Sequence, residues 1–557
     1  MAAGESAFGA AAALHRSGRL REAEAAYMDV LRQSGDHFGA AHGLGMIFLQ
    51  TGRPELAARS LGLALRIEAD NAAAHHDYGL ALQALAQHAQ ALECFERSLA
   101  IAPDNAGAHF NRGRALAALG RAGEALAAVD AAIARAPADA MFLYERANIL
   151  LRLGRAAEAV EGYGAAIALR PDYFEAFLNR ANALRELDRL ADALCDYERA
   201  ASLRPNEPLA AYNRALALQD AGRFDEAMAG YRRAVALAPA FGEARKARGT
   251  LKLLLGRYRE GFEDFEARLT SSDAALDPAL RRLRYWDGRD PAGKTIAVYG
   301  DGAFGDLIQF SRYLPLLAAR GAKVLLMVPR RFHRVLSPEA LCASLAGDAG
   351  DPAGADFRCE LMSLPHVFGT APGGIPPAVD VIRRDGARTA RWRAHLGPDG
   401  FKVGICWQGN PARNIDRGRS IPLAQFAPLA RIDGVRLISL QKAHGLEQLG
   451  ALPGGMKVET LGDAFDAGDD AFVDTAAVVD CLDLVVTSDT ALAHLCATMG
   501  RPAWVALRRV PEWRWGVDRA DSPWYPSVRL FRQREEGGWP DVFADIARAI
   551  GDLRRGV

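Results

Sequence analysis

The sequence predicts an all-α repeat array followed by an α/β region made of two facing parallel-sheet halves. Three observations carry that prediction. Residues 5–268 hold several side-chain registers in phase at a 34-residue step. Residues 271–292, SSDAALDPALRRLRYWDGRDPA, lose that register and bring in Pro and Gly. Beyond them, short β-branched or apolar runs alternate with helix-like segments, and the pattern restarts near residue 400. A chain of 557 residues exceeds one ordinary core, and 50% apolar with 24% charged residues is globular composition.

In the first half, Pro recurs at 103, 137, 171, 205 and 239, and Ala at 23, 57, 91, 125, 159, 193 and 227. A third register stays small: Ala11, Gly45, Gly79, Gly113, Ala147, Ala181, Ala215 and Gly249. A fourth is mostly aromatic: Tyr27, Phe95, Tyr163, Tyr197, Tyr231 and Phe265. Small residues let two antiparallel helices approach, the aromatic fills the gap to the next unit, and Pro stops the second helix. This pattern resembles the tetratricopeptide repeat, with about seven copies and a worn eighth near 250–268. The resemblance implies a superhelix whose concave face binds peptide.

Polar residues also keep the step, at Asp77, Asn111, Glu145, Asn179 and Asn213, with Asn148 and Asn182 one turn further on. A carboxamide both donates and accepts, so Asp77, Asn111, Asn148, Asn179, Asn182 and Asn213 form a candidate ladder for the backbone of an extended peptide. The alternative is that they solvate an inner face. Tetratricopeptide arrays fused to glycosyltransferases, as in O-linked N-acetylglucosamine transferase, are similar and carry asparagine ladders for protein acceptors.

In the second half, TIAVYG, LIQFSRYLPLLAARG and KVLLMVP make a β-α-β unit, and VGICWQG, VRLISLQ, LDLVVTS and WVAL continue as strands. The predicted organisation is an array over 5–268, a linker over 269–292, one Rossmann-like half over 293–395 and a second over 396–557 with a terminal helix. Gly300, Gly302 and Gly305 spell G-x-G-x-x-G after the first strand, which suggests a dinucleotide turn. The second strand, however, ends in Pro329-Arg330-Arg331 instead of an acid for the ribose, and Asp301 and Asp306 would repel a pyrophosphate.

GAFGDLIQFSRYLPLL (302–317) resembles the opening of the heptosyltransferase-like glycosyltransferases, which are inverting enzymes of GT-B fold. GICWQGNPARNIDRGRSIPLAQFAPLA (404–430) is similar to their donor-site strand and loop, and LVVTSDTALAHLCATMGRP (484–502) to their Asp-Thr-Gly-x-x-His signature. DFRCELMSLPHVFGT and SPWYPSVRLFRQ resemble segments of bacterial proteins that join tetratricopeptide repeats to this domain.

The resemblance implies Asp306 as catalytic base, which takes the acceptor hydroxyl's proton. The plain alternative is a helix N-cap. It implies donor binding by Gly305, Gln408, Asn410, Arg419, Ser488, Asp489, Thr490, Ala491 and His494. A helix start after Asp489-Thr490 suits phosphate, with Thr490 adding a hydroxyl. Ala491 stands where the family usually has Gly, and Arg419 where members often have Lys, giving a forked grip unless it pairs with Asp416. His494 either braces the loop or meets phosphate. The aromatics of PEWRWG and SPWYP either stack on sugar or sit buried in a C-terminal lid.

Equal counts of 68 basic and 68 acidic residues leave no electrostatic footprint for nucleic acid. Seven scattered Cys without a C-x-x-C pair argue against a disulfide framework or zinc site and for a cytoplasmic location. The amino terminus does not read as a signal peptide, and no apolar run spans a membrane. No metal and no cofactor are expected beyond a nucleotide-sugar co-substrate. The resulting expectation is a protein glycosyltransferase modifying Ser/Thr of an acceptor chosen by the array. Resemblance to bacterial proteins of this layout points to flagellin and a nonulosonic acid. The alternatives are an inactive nucleotide-sugar-binding scaffold, or a lipopolysaccharide or capsule transferase.

Overall fold

The computed structural model describes residues 2–269, 276–300, 302–348, 352, 354–411, 416, 418–468, 471–534 and 538–556. Asp301 and residues 270–275 of the expected linker lie outside these. The chain divides into two compact units, Met1–Ala217 and Leu218–Val557.

The first unit is a run of paired helices: α1 (Ala2–Arg16), α2 (Leu20–Gln33), α3 (Phe38–Gln50), α4 (Pro54–Ile67), α5 (Ala72–Ala84), α6 (His88–Ile101), α7 (Ala106–Ala118), α8 (Ala122–Arg135), α9 (Ala140–Arg152), α10 (Ala156–Leu169), α11 (Phe174–Glu186), α12 (Leu190–Leu203) and most of α13 (Pro208–Asp220). The registers set the packing. Ala23, Ala57, Ala91, Ala125, Ala159 and Ala193 are all fully buried. A Cβ built on Gly79 would stand 2.6 Å from the Phe95 ring, and one on Gly113 2.5 Å from Val129 Cγ2, so only a small residue fits there. Asn71, Asn105 and Asp139 cap α5, α7 and α9 by accepting from the N–H groups of Ala74, Ala108 and Phe142.

A further register emerges at the turn inside each repeat. Gly18, Gly52, Ala86, Gly120, Gly154, Asp188, Gly222 and Gly256 all take positive φ, so the turn demands a left-handed residue. Ala86 (φ 57°) and Asp188 (φ 63°) meet that demand without glycine.

The second unit holds α14 (Phe224–Leu237), α15 (Gly242–Leu254) and α16 (Tyr258–Phe265), then two wholly parallel sheets. The first sheet runs β1-β5-β2-β3-β4, with β1 (Arg284–Tyr285), β2 (Thr295–Tyr299), β3 (Lys323–Val328), β4 (Ala343–Gly347) and β5 (Phe357–Glu360). The second runs β11-β10-β9-β6-β7-β8, with β6 (Phe401–Cys406), β7 (Val435–Ser439), β8 (Val458–Glu459), β9 (Leu484–Ser488), β10 (Ala503–Leu507) and β11 (Val528–Arg532). The amphipathic helix Trp539–Arg555 buries Val542, Phe543, Ile546 and Ile550 against this sheet's core.

The second unit therefore begins at Leu218, upstream of the linker expected at 269–292. The reason is shared burial. The Phe262 ring of α16 lies edge-on to Trp513 at 5.7 Å, and Tyr258 lies 5.7 Å from Trp524. Just after α16, Arg268 donates to Ser363 Oγ (2.7 Å) and pairs with Glu360 at the end of β5. Within the expected linker, β1 forms the sheet edge beside β5, and Trp286 is buried.

Replacing Ala86 by Gly removes a left-handed strain worth about 1 kcal/mol. Chemical denaturation of the Ala86→Gly chain is expected to show a gain approaching that size, and Gly120→Ala a comparable loss. Equal midpoints for Ala86→Gly and the parent would contradict the assignment.

Candidate functional site

The strand order reverses around β2 in the first sheet and around β6 in the second, and ligands of open α/β sheets bind at the carboxyl ends beside such points. After β2, the turn through Gly302 (φ 78°) leads into the helix Phe304–Phe310. Asp306 sits in its first turn, and Ala303 occupies the N-cap position. A small pocket is lined by Gly300, Ala303, Asp306, Val328, Glu360 and Met362 among others.

After β9 comes the second loop. Ser488 is fully buried, and its hydroxyl has no hydrogen-bond partner among the described residues. Thr490 is the N-cap of the helix Ala491–Thr498 and shares a 3.0 Å hydrogen bond with Thr487. The first N–H groups of that helix point out of the carboxyl edge of the sheet, an arrangement that favours an anion.

The two helices meet through small residues. A Cβ on Gly305 would lie 3.0 Å from His494 Cδ2 and 3.7 Å from the Ala491 Cα. Gly305 thus serves a close helix–helix approach. His494 is buried, shares a 3.1 Å hydrogen bond with the Tyr525 hydroxyl and stacks on Trp515 at 5.3 Å. Burial, reinforced by nearby Arg514 and Arg312, holds its imidazole well below the ordinary histidine range. Of the two roles open to His494, the structure places it in the bracing one.

Asp306 is joined to the second sheet by a residue the sequence reading passed over. Arg514 pairs with Asp306, donates from Nε to Gln309 Oε1 (2.6 Å) and from Nη1 to Glu512 Oε1 (2.5 Å). Its pKa is raised: burial opposes the charge, and Asp306, Glu512 and Asp489 outweigh it. Asp306 contacts the Arg514 guanidinium, and the charge of Asp489 adds to the field that keeps it protonated. In the sequence Arg514 lies between the two tryptophans of PEWRWG, with nothing local to mark its partner. Those aromatics take the buried alternative: Trp513, Trp515, Trp524 and Tyr525 are each no more than 3% exposed.

The loop after β6 sits at the neighbouring strand end. Gln408 accepts from Gln448 Nε2 at 3.2 Å, and its own N–H donates to Gln441 Oε1 at 3.0 Å. Asn410 is exposed. Arg419 lies over Gly409 and pairs with Asp416 at 3.4 Å, while Ser420 donates to both Asp416 oxygens. Residues 412–415 and 417 of this loop lie outside the described residues.

In the first unit the ladder residues are largely bonded across repeats. Asp77 Oδ2 meets His42 Nε2 at 2.8 Å, Asn111 Nδ2 meets His76 Nε2 at 3.0 Å, and Asn179 donates to the Tyr144 hydroxyl at 2.9 Å. Burial raises the Asp77 pKa, but hydrogen bonds with His42 and His76 outweigh it and hold the carboxyl below its usual range. Asn148 accepts from Tyr163 and Asn182 from Tyr197. Asn213 lies on α13 in the same register.

Residues 8–74, 77–140, 144–208 and 209–241 match tetratricopeptide repeat models, and residues 423–535 match glycosyltransferase family 9 (heptosyltransferase). The second match covers Ser488 to His494 and Arg514; Asp306, Gln408, Asn410 and Arg419 precede it. Protein FlbA of Caulobacter vibrioides is 29% identical over 336 residues, covering 55% of this chain and 54% of that protein. The chain thus spans about half the length of the curated relative it matches. YrrB, a TPR protein with an unusual peptide-binding site, is 18% identical, with TM-score 0.31, and covers 34% of this chain and 99% of its own. The C-terminal part of a TPR protein from Cytophaga hutchinsonii is 15% identical, with TM-score 0.36, covering 42% of this chain and 97% of its own. No described helix is long and apolar enough to cross a membrane.

His494 gives a pH prediction. Because its folded pKa is depressed, its contribution to stability is present above the unfolded value near 6.5 and is lost as pH falls below it, at up to about 1.4 kcal/mol per pH unit. Urea titrations at pH 7.5 and 5.5 are expected to show a smaller loss in His494→Phe than in the parent. Equal losses would contradict a buried neutral imidazole.

Proposed function

Taking tetratricopeptide repeats joined to a family 9 glycosyltransferase domain as the premise, we propose that this protein transfers a sugar from a nucleotide-sugar donor to Ser or Thr of a protein acceptor held by the repeats. The observation that carries the reading is the ion pair that joins Asp306, in the helix after β2 of the first sheet, to Arg514, in the segment after β10 of the second.

In this reading the Asp306 carboxylate takes the proton of the acceptor hydroxyl as that oxygen bonds to the anomeric carbon. The carbon–oxygen bond to the leaving phosphate breaks on the opposite face, and its electron pair departs with the phosphate, so the configuration inverts. The N–H groups at Thr490–Ala491 and the Ser488 and Thr490 hydroxyls supply donors for the phosphate charge, with Gln408, Asn410 and Arg419 at the adjoining strand end. Leaving-group charge met in this way requires no metal ion. The acceptor we favour is flagellin, with a nonulosonic acid as the sugar and the cytoplasm as the place of transfer.

The test is intact-mass spectrometry of flagellin from cells with and without the gene, complemented by variants. Loss of a sugar mass on deletion is expected. Asp306→Asn is expected to lower transfer by about 10²–10⁴-fold with donor binding intact. A wild-type chain that binds nucleotide sugar and never transfers supports the scaffold alternative. Removal of 1–207, which keeps α13 and the whole second unit, is expected to abolish transfer to protein; continued transfer to a lipid-linked sugar would favour a lipopolysaccharide or capsule enzyme. Transfer unchanged by EDTA is the expected result for a metal-independent site.

A further inference from the structure

We infer that Arg514 is a positioning residue for the transfer, aiming the Asp306 carboxylate so that the base from the first sheet is set by a segment that follows the second. The inference rests on the proposed function, and its grounds are geometric.

Arg514 is committed on every side. Its guanidinium meets Asp306, Gln309 Oε1 and Glu512 Oε1, and its flat face lies 4.7 Å from the Trp513 ring and 5.7 Å from the Phe310 ring. Glu512 is fixed in turn, because its Oε2 accepts the Arg514 N–H at 2.9 Å while capping the turn Trp513–Trp515. Asp306 and Gln309 are three residues apart on one helix, so both face the same fork. A planar guanidinium held at three donors fixes the orientation of a carboxylate far better than an ammonium does.

The sequence positions make this a link across the site. Asp306 follows β2 in the first sheet, whereas Glu512, Trp513 and Arg514 follow β10 in the second. The base therefore has its orientation only while residues 511–516 are seated against the helix Phe304–Phe310. The other charged or titratable groups around this cluster are Asp489, Arg312, His494 and Tyr525. Arg312 is buried and held by the carbonyls of Gln309, Pro376 and Trp524, burial disfavours the charged form of His494, and Arg514 is a cation in direct contact with Asp306.

The experiment uses the full chain, unmodified flagellin from cells lacking the gene, and a small-molecule extract of the same cells as donor source. Arg514→Lys, Arg514→Gln, Glu512→Gln and Asp306→Asn are compared, with circular dichroism to select folded variants. Arg514→Lys is expected to lower kcat about 10- to 100-fold with KM for flagellin within about twofold, as misplacement of a reacting group does. In Arg514→Gln, loss of the adjacent cation moves the acid limb of the kcat–pH profile to higher pH. Glu512→Gln, which keeps the cation and loosens its seat, gives a smaller loss of kcat and does not move the limb to higher pH. The Asp306→Asn/Arg514→Gln double variant is expected to be no slower than Asp306→Asn alone, because Arg514 acts through Asp306. Additive losses, or wild-type kcat and pH profile in Arg514→Lys and Arg514→Gln, overturn the positioning role while leaving the base role of Asp306 standing. Full activity in Asp306→Asn overturns both, and a wild type without transfer removes the proposed function itself.

Discussion

Burying a guanidinium is costly unless charge and hydrogen bonds compensate it, and at Arg514 that requirement organises the site. Arg514 is only 12% exposed, and the carboxylates that neutralise it come from different parts of the chain: Asp306 from the first sheet, Glu512 from its own turn, and Asp489 nearby from the second. Charge compensation thus does mechanical work. It ties the helix after β2 of the first sheet to the segment after β10 of the second, and Gly305 allows the adjoining helices a close approach. The wall of tryptophans around Arg514 keeps water from competing for the same hydrogen bonds.

Much of this architecture was legible in the sequence because periodicity reports packing directly. The 34-residue registers of Ala, small and aromatic residues describe helix-on-helix contacts within and between neighbouring repeats, so every contact they imply is local. The strand-and-helix alternation after residue 293 was legible for the same reason. Asp306 and Asp489–Thr490 could be singled out because each ends a strand and opens a helix, a local feature. Arg514 could not, because its meaning depends on a partner 208 residues away. The eight left-handed turns were hidden by two departures from glycine, at Ala86 and Asp188.

The ladder residues show a second limit of pattern reading. A repeating Asn marks a face, but it does not say with whom the amide bonds. Asp77, Asn111 and Asn179 find partners in the preceding repeat where that repeat carries His42, His76 or Tyr144 at the matching position. The step linking those partners is 35 residues, one more than the repeat, so it ties each helix to the next along the inner face. Part of the ladder's hydrogen-bonding capacity therefore holds the array together.

The shared core between α16 and the C-terminal tryptophans has a consequence for how such proteins are assembled from parts. The seam visible in the sequence, where the repeat register fades, is not where the molecule can be separated. Phe262 and Tyr258 are repeat residues by pattern and belong to the core of the α/β unit by packing. A genetic exchange that swapped one array for another at residue 268 would strip that unit of part of its interior. An exchange at residue 207, ahead of α13, would leave it entire. The last repeats are thus inherited with the α/β unit, and any change of recognition specificity by recombination has to be made upstream of them.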